Sequence, residues 1–171
     1  MNDARLGSAA SCRVLYEWLA GRVCGYLRAH GALDPEDLTS EVFLRVFHGI
    51  ESFDGTESQF RAWVFTITHR LLIDERRRAA ARPTTVELTN DALLVATSAE
   101  SEALANLGDD WLRARLDELP PDQRAVLALR MLGDLTIDQV ARILGKRRGA
   151  VKALQRRGLT SIRRKVDPRL A

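Results

Sequence analysis

Residues 136–164 read TIDQVARILGKRRGAVKALQRRGLTSIRR, and this stretch decides the fold. Thr136 stands as an N-cap with Gln139 three positions on, the spacing of a capping box. Ile137, Val140, Ala141 and Leu144 then give a short helix one apolar face. Gly145 permits a sharp turn, since glycine enters left-handed backbone without a Cβ penalty. A second helix follows, with Val151, Leu154, Gly158 and Ile162 turned inward. Short helix, glycine turn and second helix with a basic outer face make the helix-turn-helix layout. Gly158 runs against helix propensity by about 0.5–1 kcal/mol relative to Ala. Close packing against the first, bracing helix is the reason the pattern offers for it.

The physics of a DNA groove suits this layout. A major groove admits one helix, and the first helix braces the second against it. Residues near the N-terminal half of the second helix then reach base edges: Lys146, Arg147, Arg148, Lys152, Ala153, Gln155, Arg156 and Arg157. Arg and Lys suit guanine and Gln suits adenine, while most basic residues touch only phosphate and set register. Charge agrees. The chain carries a net +3, yet residues 145–171 hold 10 Lys/Arg against one acid, Asp167. A basic block of this density calls for a counter-charge, and nucleic-acid phosphate is the usual one.

Working outward, the whole chain reads as helical. Pro120-Pro121 breaks a helix bearing Trp111, Leu112, Arg115, Leu116 and Leu119 and starts another with Val126, Leu127, Leu129 and Met131, which stops at Gly133. From Ala79 to Asn106 the text turns to Ala, Thr, Ser and acids. Residues 81–106 hold 1 basic and 4 acidic residues, which reads as a flexible linker with room for a short helix near 98–106. Before it, Val14, Leu15, Leu19, Val23 and Leu27 mark one face of a helix that Gly31 ends. Asp34, Pro35, Glu36 and Asp37 form a strong helix start. Leu38, Val42, Phe43, Val46, Phe47 and Ile50 carry that helix inward, and Asp37, Ser40, Glu41 and Arg45 face out. Residues 52–59 read as a loop. Phe60, Trp63, Val64, Ile67 and Leu71 then mark a third long helix that ends in Arg76, Arg77 and Arg78, with Arg61, Thr66, His69 and Arg70 on its other face. The expectation is an all-α chain of two small helical domains, residues 1–80 and 107–171, joined by the acidic linker 81–106. Residues 1–12 are expected to be disordered.

The same reading excludes other classes. No run nears the roughly 18 apolar residues of a membrane span, and no signal peptide opens the chain, so a cytoplasmic protein is expected. Cys12 and Cys24 form no CxxC pair, so neither a disulfide framework nor a metal site is expected. His30, His48 and His69 sit in no HExxH and beside no nucleophile motif, and no Walker loop or dinucleotide fingerprint occurs, so no cofactor and no enzyme is expected.

Two stretches carry a resemblance. DPEDLTSEVFLRVFHGIESFDGTESQFRAWVFTITHRLLIDERRR (34–78) resembles region 2 of the bacterial extracytoplasmic-function sigma factors, the small promoter-recognition subunits of RNA polymerase. LPPDQRAVLALRMLGDLTIDQVARILGKRRGAVKALQRRGLTSIRRK (119–165) resembles their region 4. The resemblance implies core RNA polymerase (its β′ clamp helices and β subunit), promoter DNA and an anti-sigma protein as partners. It implies that Asp37, Ser40, Glu41, Leu44 and Arg45 dock on the clamp helices. It makes Phe53, Asp54, Gly55 and Thr56 candidates to line a pocket for a flipped base of the minus-10 element. Arg61, Thr66, His69 and Arg70 become candidates for strand and phosphate contacts, with Trp63 packed in the core. Lys152, Ala153, Arg156 and Arg157 stand at the positions that contact bases of the minus-35 element. Where many members have Gly-Thr-Val followed by Arg-Ser-Arg, this chain has Gly149-Ala150-Val151-Lys152-Ala153-Leu154, which puts any familiar promoter consensus in doubt. The alternative is a stand-alone helix-turn-helix regulator that never meets polymerase.

Overall fold

A computed structural model describes residues 9–81 and 114–166, and no strand occurs among them. Among the described residues six α-helices are numbered in chain order, α1 (Ala9–Ala29), α2 (Pro35–Gly49), α3 (Glu57–Ala81), α4 (Pro121–Met131), α5 (Ile137–Leu144) and α6 (Arg148–Val166), and residues 114–117 are helical as well. A 3-10 turn, Ile50–Ser52, follows α2. The linker 81–106, its short helix, Trp111 and Leu112 lie outside the described residues, apart from Ala81 in α3.

Local signals place the ends. Gly31 takes φ 66°, and the amides of His30, Gly31 and Ala32 close back on the last turn of α1, as a left-handed glycine cap does. Asp34 caps α2 by accepting the Asp37 N–H at 2.8 Å. The capping box of α5 is complete: Thr136 Oγ1 accepts from Gln139 N and Gln139 Oε1 accepts from Thr136 N. Gly145 then turns the chain at φ 61°.

Helices α1, α2 and α3 pack together as one unit and α4, α5 and α6 as another. The first unit buries Leu19, Val23, Tyr26, Leu27, Val42, Phe43, Val46, Phe60, Val64, Phe65, Leu71 and Leu72. The second buries Leu116, Val126, Leu127, Leu129, Leu135, Val140 and Val151. Burial at roughly 1.5–3 kcal/mol per large apolar side chain supplies the drive. The units also touch each other, α1 against α4 and α3 against α5, and one cluster of buried residues runs through both.

Several expectations need correcting. Residues 9–12 are helical, so the disorder expected for 1–12 fails there. Val14 is 62% exposed and leaves the α1 stripe to Leu15, Leu19, Val23, Tyr26 and Leu27. The loop is shorter than 52–59, because Thr56 and Gln59 form a second capping box and start α3 at Glu57. That helix runs beyond Arg78 to Ala81. Met131 is exposed, since α4 ends there. Gly158 does sit in a close approach, but against α4: a Cβ there would lie 2.8 Å from Leu127 Cδ1.

Candidate nucleic-acid interface

The helix-turn-helix is built rigidly from within. Arg130 donates to the Leu135 carbonyl, which fixes the approach to Thr136. Lys146 N closes on Ala141 O at 2.9 Å behind Gly145. Val151 is fully buried, and Gly158 lets α6 lie directly on Leu127.

This packing turns one side of α6 to solvent. Lys152, Arg156 and Arg157 are exposed, with Ala153 and Gln155 half-buried beside them. Lys152, Gln155, Arg156, Leu159, Thr160 and Arg163 line one shallow depression along the helix. Arg163 was missed in the sequence, although it lies two turns beyond Arg156 on the same face. Lys146 and Arg147 fall in the turn rather than in the helix. Lys146 pairs with Asp122 at 2.8 Å and Arg148 with Asp138 at 2.5 Å. Exposed pairs of this kind are weak, about 0–1 kcal/mol, so phosphate can take their place. Lys165 pairs with Glu118 and holds that carboxyl below its usual range.

The second group of candidates surrounds the start of α3. Phe53 stacks on Trp63 with ring centroids 5.2 Å apart and meets Phe60 edge-on at 5.4 Å. Trp63 packs so tightly that a Cβ on Gly49 would lie 2.9 Å from its ring. A Cβ on Gly55 would lie 2.8 Å from the Phe53 ring, so glycine lets the loop close over the aromatic stack. Asp54 and Thr56 are exposed at the rim. The four expected strand contacts are not presented alike. Arg61 is 16% exposed, bridges Glu57 and Asp134 at 3.1 Å each, and lies over the Trp18 ring. Thr66 is half-buried and donates to Ala62 O. His69 Nδ1 meets the Tyr26 hydroxyl at 2.9 Å, and burial with the nearby Arg76 lowers its pKa. Arg70 is exposed.

A third surface lies on α2. Asp37, Ser40, Glu41, Leu44 and Arg45 follow at i, i+3, i+4, i+7 and i+8, one stripe on a helix. Leu44 is 59% exposed at its centre, beside the Glu41–Arg45 pair at 2.6 Å. Beneath, Arg28 donates to Glu36 and holds that carboxyl down, while burial raises the Cys24 thiol.

Among the described residues no group of His, Cys, Asp and Glu could hold a metal ion, and no helix is long and apolar enough to cross a membrane.

Known proteins match this chain over most of its length. The family described as Sigma-70 region 2 matches residues 15–82, and Sigma-70, region 4 matches residues 109–162. An ECF RNA polymerase sigma factor of Streptomyces coelicolor, BldN, is 34% identical over 165 residues, 94% of this chain and 62% of that protein. The chain therefore spans about three fifths of BldN. SigL of Mycobacterium tuberculosis, also an ECF RNA polymerase sigma factor, is 32% identical over 90% of this chain and 87% of its own length. A solved structure of CnrH in complex with the cytosolic domain of CnrY shares the fold, with a TM-score of 0.63 at 20% identity, covering 98% of this chain and 94% of that one.

Proposed function

The chain belongs to the extracytoplasmic-function sigma factors, and from that premise we propose that it docks on core RNA polymerase and directs it to particular promoters. It acts by binding, not by catalysis. The observation that carries the reading is the pair of surfaces on separate units: the Leu44 stripe of α2 and the basic face of α6. A stand-alone regulator needs only the second of these.

The roles follow from the chemistry of each surface. Leu44, ringed by Asp37, Ser40, Glu41 and Arg45, suits a helical protein partner such as the β′ clamp helices, because an exposed apolar centre with a charged rim is the anatomy of an interface. Lys152, Gln155, Arg156 and Arg157 suit the minus-35 duplex, with Lys146, Arg147 and Arg148 on phosphate. The loop at Phe53–Thr56, with Arg61 and Arg70, suits the melted minus-10 strand. An anti-sigma protein completes the proposal, since a dissociable subunit must be held off polymerase between uses. CnrH, of the same fold, has been solved in complex with the cytosolic domain of CnrY. Work on polymerase places the protein in the cytoplasm.

A titration against bacterial core RNA polymerase without DNA tests the reading. One-to-one association, followed by run-off transcription from selected promoters, is the expected result. Robust duplex binding with no polymerase association would replace it with the stand-alone regulator.

A further inference from the structure

Helices α1 and α3 enclose a group of hydroxyl, imidazole and guanidinium side chains that the contacts proposed so far leave unused. Tyr26 of α1 is fully buried, edge-on to Phe65 at 5.8 Å between ring centroids and 4.2 Å from the His30 ring. Its hydroxyl meets Nδ1 of His69, on α3, at 2.9 Å. Arg76, two turns beyond His69, donates to the His30 carbonyl. Arg124 of α4 donates to the Ala29 carbonyl at 3.2 Å. These two guanidiniums are the charges around the pair: Arg76 acts on Tyr26, His30 and His69, and Arg124 on His30.

The direction of the Tyr26–His69 bond follows from what each atom can do. A phenol hydroxyl both donates and accepts, whereas a neutral imidazole carries its proton on one nitrogen only. Were that proton on Nδ1, it would point at the Tyr26 oxygen and leave the phenol hydrogen buried without an acceptor, the costly arrangement. The hydroxyl therefore donates to Nδ1, and His69 carries its proton on Nε2. That nitrogen meets no described residue, and unlike Nε2 of His30 it is not sealed from solvent. His69 itself is half-buried, with the exposed Arg70 beside it. Protonating Nδ1 would break the bond from Tyr26, and burial and then Arg76 already lower the His69 pKa. The ring is thus held neutral, with one N–H left to donate.

We propose that Tyr26 is a positioning residue for promoter recognition: its hydroxyl fixes the orientation and tautomer of His69, which offers the melted minus-10 strand an uncharged Nε2–H donor. The strand contact rests on the sigma reading; the fixed tautomer does not. An uncharged donor releases no counterion, so its contribution depends on where an acceptor stands and not on salt. Contacts of that kind carry sequence information, while a cation such as Arg70 holds phosphate wherever it lies.

The tautomer is read on the full chain alone. Nitrogen-15 NMR of the histidine rings, with His69 assigned by His69→Gln, should show a protonated Nε2 and a bare Nδ1 from pH 7.5 down to 5.5. His30, with a pKa of about 4, stays neutral over that window. Tyr26→Phe keeps the packing volume, and with circular dichroism unchanged it should admit the other tautomer and let His69 titrate. Holoenzyme assembled with core RNA polymerase is then titrated with forked DNA carrying the minus-10 element of a promoter found by run-off transcription. At pH 7.5 His69→Ala and Tyr26→Phe should each weaken binding about 3- to 10-fold, and the double variant no more than His69→Ala alone. At pH 5.5 Tyr26→Phe should regain affinity relative to wild type, as its protonated ring turns to phosphate, and its salt slope should steepen by about 0.7. A protonated Nδ1 in the wild-type chain would overturn the orientation. Full affinity for His69→Ala, or additive losses in the double variant, would overturn the positioning role. If no chain associates with polymerase, the sigma reading falls while the NMR still decides how Tyr26 holds His69.

Discussion

Gly158 and Leu127 meet so closely that a methyl group on the glycine would stand 2.8 Å from Leu127 Cδ1 and 3.3 Å from its Cγ. Leu127 is 1% exposed, so it can yield only by disturbing the core of α4. Gly158→Ala gains up to about 1 kcal/mol of helix propensity and meets an overpacking penalty of about 1–3 kcal/mol. The net expectation is a loss of about 1 kcal/mol in urea denaturation. A gain would mean that Leu127 finds another rotamer without strain.

Arg156 stands exposed between Lys152 and Arg163 on the open face of α6. Arg156→Ala should weaken duplex binding at the upstream promoter element by about 1–3 kcal/mol and relax base preference there, if the side chain reads a base. A footprint and affinity identical to wild type would assign the arginine to solvent.

Leu44 is 59% exposed and adds nothing to the core. Leu44→Asp should leave the denaturation midpoint within about 0.5 kcal/mol and abolish measurable association with core polymerase. Glu41→Lys should impair docking in the same way without changing duplex affinity. Equal loss of polymerase and duplex binding would indicate misfolding instead.

His30 gives the fold an acid limit. Its Nδ1 lies 2.8 Å from the Tyr26 carbonyl, which can only accept, so Nδ1 carries the proton, and the buried Nε2 has no partner. Burial first, then the charges of Arg76, His69 and Arg124, push its pKa from 6.5 to about 4. As pH falls the unfolded chain takes up the proton before the folded one, so stability is full above pH 6.5 and drains away down to about pH 4. The gap of about 2.5 pKa units, at 1.36 kcal/mol each, sets the loss at about 3 kcal/mol. His69, also lowered, acts in the same direction. Urea denaturation at several pH values should show a shallower acid slope for His30→Gln than for wild type; parallel slopes would place the acid sensitivity elsewhere.

Helix ends were legible in the sequence because their causes are local. Asp34, Gly31, Gly145 and the Thr136–Gln139 box act on backbone within four residues of themselves. The Thr56–Gln59 box was equally local, yet it was hidden by Asp54, Gly55 and Ser58, whose composition reads as loop. Tyr26 was missed for a different reason. A tyrosine is buried only when its hydroxyl finds a partner, and that partner, His69, lies 43 positions away. Val14, apolar and in phase, fails the stripe because no element among the described residues covers it. Ser58 and Gln139, 81 positions apart, meet through an arrangement of units that no local pattern encodes. The candidate residues of α6 were readable from spacing and charge, whereas the covering of Arg61 was not.

Arg124 holds a consequence for the stretch ahead of α4. Its guanidinium gathers the carbonyls of Leu116, Asp117 and Leu119 and the Asp117 carboxylate, all in its own unit, and reaches across only to Ala29. Four of its five acceptors are thus local, so the cation is first a clasp on the chain that leads into the helix-turn-helix unit and only secondarily a strut to α1.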